Sequence, residues 1–218
     1  MTGKLSSSIE DLYRAFSDIE IPRVIEGCPC CIDDKNIADL LSIPLREISP
    51  DTLATYASSA FLTVGEIADY LYFLPRIIEI SITDRDWWPD FEVTARAIKD
   101  SGVQSWPGHR RDAHVSLLEA WMDDLIETED VWGIDGLMCG VGRMELDVKP
   151  FLDRIQRRPA AVIAFWEENA ASLQVGELSN EFWERPSRQH DDIVEWFRSE
   201  TIEKMIATAA SDGKLWVK

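Results

Sequence analysis

Three cysteines crowd into the four positions Cys28-Pro29-Cys30-Cys31. Thiolates are soft donors, and zinc takes four sulfur or nitrogen ligands in a tetrahedron. Paired zinc cysteines usually leave a gap of about two to four residues, and within this run only Cys28 and Cys31 have it. A complete zinc site would therefore draw on Cys139, His109 or His114. The Cys28–Cys31 gap also suits a disulfide or redox role, whereas the plainest reading makes all three cysteines small buried side chains in a folded-over loop. His109 and His114 are five positions apart, roughly 140° around a helix, so they cannot chelate one metal as an H-E-x-x-H pair does.

His190-Asp191 is similar to the paired ligand step of the HD-type phosphohydrolases. Those enzymes need further histidine and aspartate ligands in order, and the nearest upstream histidine is the distant His114. His190 is better read as a polar residue near the start of a helix. The chain has no G-x-S-x-G elbow and no Walker-type loop. Gly136-x-x-x-Gly140-x-Gly142 follows no strand and lacks the Lys-Ser/Thr ending of a phosphate loop. The sequence thus carries no diagnostic catalytic motif, and a binding protein is expected rather than an enzyme.

Acidic clusters are more informative. Asp123, Asp124, Glu127, Glu129 and Asp130 gather at the expected end of a helix. A helix C-terminus is partially negative, so each acid there costs about 0.3–1 kcal/mol that a basic partner would relieve. The calcium-loop pattern is absent. Asp84-Arg85-Asp86-Trp87-Trp88-Pro89 sets two indoles beside acids, the mixture of aromatic anchor and charged rim found in interfaces, and at least one of the two rings should lie near the surface.

The elements that must position these groups read as helices. Ser8 can cap a first helix closed by Pro22; Asp33 or Asp34 opens a second; Ser49-Pro50-Asp51 starts a third in the order cap, N1 proline, acid. Thr63 and Glu66 have capping-box spacing for a helix that Pro75 should kink or split. Others are expected from Pro89 to Lys99, from Ser105 onward, on either side of Pro159, and from Pro186 to Ala210 with a break near Ser199. The glycines at 133, 136, 140 and 142 make 131–143 read as a loop with one short helix near Leu137, and as the candidate seam of an otherwise single domain over 1–218. Strand-like alternation is confined to short pieces such as Leu215-Trp216-Val217. The expectation is an all-α fold of about nine to eleven helices, either an irregular bundle or HEAT-like stacked pairs.

The whole chain of 218 residues carries 40 Asp+Glu against 22 Lys+Arg, a formal charge of −18, and acids outnumber bases in every quarter. That excludes broad electrostatic binding of nucleic acid and disfavours anionic membrane. The start lacks a secretory signal, no run is long and apolar enough to span a bilayer, and the cysteine spacing is not that of a secreted disulfide framework, so a cytoplasmic protein is expected. In size, acidity and helical make-up the chain resembles bacterial toxin-immunity proteins. That resemblance implies an antitoxin that occludes a basic toxin or effector domain, with a DNA-mimicking inhibitor as a variant. The alternatives are a metal-dependent enzyme or zinc-stabilised protein using the Cys28–Cys31 loop, and a helical scaffold or adaptor.

Overall fold

A computed structural model describes residues 1–212. Among them are eleven α-helices and no strand beyond two isolated bridges. The expected Leu215-Trp216-Val217 alternation lies outside the described residues. The chain divides into two compact units, Met1–Leu117 and the residues from Leu118 on.

The first unit contains α1 (Gly3–Ala15), α2 (Asp34–Ser42), α3 (Pro50–Ser59), α4 (Ile67–Thr83), α5 (Phe91–Asp100) and the opening of α6 (Gly108–Glu127). α4 is the centre of its core. Tyr70, Phe73, Leu74, Ile77, Ile78 and Ile80 are all buried, and α1, α3 and α5 pack around them. Pro75 sits inside α4 without dividing it. Three starts follow side-chain capping: Thr2 accepts from Leu5 N, Asp33 from Asn36 N, and Ser49 from Thr52 N with Pro50 at the first helical position. Ser8 therefore lies within α1 and does not open it. The α4 capping box forms three residues later than expected, with Glu66 as the N-cap and Asp69 at N3.

The second unit contains the rest of α6, then α7 (Val131–Arg143), α8 (Lys149–Gln156), α9 (Pro159–Leu173), α10 (Arg188–Phe197) and α11 (Glu200–Ser211). α9 packs against α7, α8 and α11; Val162 and Phe165 are buried, and the Phe165 ring lies 5.0 Å from that of Phe197. The loop expected over 131–143 is one regular helix. Its glycines mark close packing: a Cβ on Gly142 would lie 2.2 Å from the Trp183 ring, and one on Gly133 would lie 2.4 Å from Leu125. The glycines make room for neighbours, and the buried stripe of α7 supplies the stability that their low helix propensity withholds.

Candidate functional site

The five clustered acids are not equivalent. α6 ends at Glu127, and its closing turn has the Schellman form: Glu129 N bonds Ile126 O, and Asp130 N bonds Leu125 O. Glu129 takes the left-handed position (φ 55°) that glycine usually fills. Asp130 turns away from the acidic helix end and caps the next helix, its carboxylate accepting from Gly133 N at 3.1 Å. Asp123 lies 3.3 Å from Arg154, which also binds Glu119 at 2.5 Å. Asp124 is 9% exposed. The expected strain at the helix end is thus partly relieved within the chain, and the fully exposed acids of the five are Glu127 and Glu129.

The fold adds to these a residue that sequence reasoning passed over. Trp132, in the first turn of α7, is 75% exposed. It lines a groove of about 830 Å³ with Val131 and, from α9, Ala164, Trp166, Glu167 and Glu168. Once α7 is known to be a helix, Ile134, Leu137, Met138 and Val141 form a buried stripe with 132 on the opposite side at about 100° per residue. Cys139, on the same side as 132 two turns later, is buried, so the open position of Trp132 belongs to the first turn of α7. The loop reading of the glycines removed that signal.

The tandem tryptophans part company. Trp87 is buried and its indole N–H donates to Pro50 O at 2.9 Å, so it is a core residue. Trp88 is 54% exposed. Asp84 caps the C-terminus of α4 and accepts from Asp86 N, and Asp86 itself is exposed. This stretch therefore offers one exposed indole and one exposed acid.

His190 is 0% exposed in the first turn of α10. Its Nδ1 lies 3.2 Å from Asp191, while Nε2 accepts from Leu178 N at 3.2 Å and sits 3.0 Å from Arg185. Both ring nitrogens are engaged inside the fold, which pins the 174–187 segment to α10. Asp135 does similar work. It is buried, it accepts from Asn169 and Asn180 at 3.1 and 3.0 Å, and its pKa is raised by burial against the opposing pull of those two bonds. His114 is enclosed against Trp106, and burial lowers its pKa to about 4; His109 is exposed on the same helix.

The cysteine loop departs most from its plainest reading, since none of Cys28, Cys30 and Cys31 is buried. Their three Sγ atoms lie within 4.8 Å of one another, with Cys28–Cys30 at 2.6 Å and Cys30–Cys31 at 3.6 Å. The group includes none of Cys139, His109 or His114; Cys139 is buried within α7 of the second unit. Hydrogen bonding from Cys30 holds the Cys28 thiol below its usual range, and the same contact pushes Cys30 up to about 11. No described helix is long and apolar enough to cross a membrane. Comparison with known proteins finds no matching family model, no matching curated protein and no matching solved structure.

Proposed function

We propose that this chain is an acidic protein-binding module that captures a basic protein, in the manner of an immunity protein neutralising a basic toxin or effector domain. The observation that carries the reading is the setting of Trp132. An indole this exposed costs solubility, and it stands in a groove that also presents Glu167 and Glu168, just past Glu127 and Glu129 in the chain. Aromatic anchors beside carboxylates are what an Arg- and Lys-rich surface binds best, by packing, cation–π contact and charge pairing together. Two further features support it. No Lys or Arg occurs between Arg111 and Arg143, so acids in this stretch must find bases elsewhere in the chain, in salt or on a partner. Glu129 keeps a carboxylate at a left-handed position where glycine would relieve about 1 kcal/mol of strain.

The test uses the basic protein encoded beside this chain's own gene, with binding measured by calorimetry and stopped-flow at low and high salt. A Kd in the nanomolar range is expected, with association slowed at least about tenfold by salt. Trp132→Ala should weaken binding about 30-fold or more, the effect of an anchor worth at least about 2 kcal/mol. Glu127→Lys with Glu129→Lys should act mainly on the association rate. Binding that ignores salt and survives Trp132→Ala would overturn the proposal, as would absence of binding by any basic neighbour.

A further inference from the structure

The cysteine turn is a separate feature, and the capture reading leaves it unused. It is a built loop. Cys28 N donates to Thr63 O and Gly65 N to Glu26 O, while Gly27 forms a bridge with Val64. Buried Ile25 and Ile32 anchor the loop on either side of the cysteines. Within it, Cys31 N and Ile32 N both bond Cys28 O, which folds the chain back so that the vicinal side chains converge on the first. Even Gly27 is fitted, since a Cβ there would fall 2.8 Å from Ile32. Accessible free thiols are liabilities that proteins avoid, and here Cys30 is exposed while Cys28 and Cys31 beside it are only partly covered, so none of the three is a core side chain.

We infer that Cys28, Cys30 and Cys31 form a three-thiolate site for one soft, thiophilic metal ion. Three sulfurs bound to one ion at the roughly 2.3 Å typical of metal–thiolate bonds stand about 4 Å apart, and separations of 2.6 and 3.6 Å with all three inside 4.8 Å reach that arrangement by small side-chain rotations. The donor set is all sulfur, which selects soft ions, and among the described residues the group gains no fourth ligand. Zn²⁺ in a structural site is therefore one ligand short, whereas Cu(I), which accepts three-coordination, is satisfied. Glu26, Asp33 and Asp34 flank the turn in sequence and are all exposed, adding negative potential that favours a cation. Binding exchanges Sγ–H bonds for metal–sulfur bonds and releases the thiol protons to solvent.

The test titrates the full reduced chain with Cu(I), delivered anaerobically as its acetonitrile complex, against a chromophoric Cu(I) chelator. One Cu(I) per chain is expected, with three sulfur neighbours in the copper X-ray absorption spectrum. Cys28→Ser, Cys30→Ser and Cys31→Ser should each lower affinity by at least about 100-fold, the upper end of what loss of an outer-shell partner causes. Cys139→Ser should leave affinity unchanged. Because the three thiols are outside the core, urea midpoints of the apo variants should match the parent, which separates ligand loss from misfolding. Less than one copper per chain would overturn the assignment, as would retained affinity in the triple serine variant or a count of two or four sulfurs. A parallel titration with Zn²⁺ against a zinc dye should show weak binding, and tight equimolar Zn²⁺ would overturn the three-coordinate assignment. None of these readouts depends on the partner-binding face.

Discussion

Gly142 offers a direct trial of why α7 is a helix despite its composition. Replacing Gly142 by Ala should raise stability by at most about 1 kcal/mol through helix propensity alone. In this fold the added methyl would stand 2.2 and 2.3 Å from two carbons of the Trp183 ring. Carbon atoms rest at about 3.5 Å, so the ring would have to retreat by about 1.3 Å. Its retreat is obstructed, because Trp183 packs edge-on against His190 at 5.4 Å and His190 is fixed through both ring nitrogens. Overpacking of this kind costs about 1–3 kcal/mol. The net expectation is a loss of about 1–2 kcal/mol, or roughly 2–4 °C of melting temperature per kcal/mol for a chain of this size. Urea denaturation followed by far-UV circular dichroism would measure it. Gly108→Ala is the control, since nothing lies within 4 Å of its added methyl, and it should be neutral or slightly stabilising. In a Trp183→Ala background the penalty for Gly142→Ala should vanish, giving a coupling of about 1 kcal/mol or more. A Gly142→Ala protein more stable than its parent, or a cycle with no coupling, would refute the packing argument.

Two further expectations concern buried titratable groups. The folded pKa of His114, about 4, lies below the unfolded value of about 6.5, so the stabilisation from keeping the ring neutral is fully present above pH 6.5 and is lost as pH falls through 4. The difference is about 3 kcal/mol between those limits, and NMR should find the His114 ring neutral at pH 5; protonation at or above pH 6 would contradict its enclosure. Asp135→Asn should cost about 1–3 kcal/mol, because Asn169 and Asn180 already accept from Ser179 N and Phe182 N and so must direct their NH₂ groups at position 135, where an amide would meet one of them donor to donor. Hydrogen exchange should accelerate at the Ser179 and Phe182 amides, and unchanged exchange would contradict that fixed orientation.

Helix starts were legible where one side chain does the capping. Ser49-Pro50-Asp51 and Asp33 appear as read, because a cap needs only its own hydroxyl or carboxylate and the amides that follow. The break at Ser199 also appears, although its hydroxyl donates back to Trp196 O and does not cap α11. Ser8 misled because Thr2 caps earlier and Leu5, inside the added turn, is fully buried; the choice between two possible caps is made by what the first turn covers. α7 was illegible for a related reason. Helix propensity counts each glycine as a loss, while the gain at Gly142 comes from Trp183, forty-one residues away, and no local pattern contains that contact. The candidate site inherited the error, since Trp132 can be placed on an open face only after α7 has a face. The acidic run was visible, but its division into Asp123 and Asp124 held inward, Asp130 as a cap and Glu127 and Glu129 left outside depended on Arg154 and on where α6 ends.

The charge of −18 can be followed further than a total allows. Many of the bases are spent within the chain: Arg46 on Glu10, Arg76 on Glu79, Arg96 on Asp100, Arg110 on Asp18, Arg143 on Glu184, and Arg154 on Glu119 and Asp123. Such pairs, where exposed, are each worth about 0–1 kcal/mol, so they do not explain why acids remain in such excess. Solubility alone would be served by acids placed anywhere on the surface, including the helix starts where they also favour the dipole. Glu127 stands instead in the last turn of a helix, and Glu129 occupies a glycine position beside it. Neither placement is one that stability selects, and both lie just before the exposed Trp132 in a stretch without a single Lys or Arg. Local cost concentrated around an exposed aromatic is what the proposed capture of a basic partner would explain, since such a partner would supply the balancing charges.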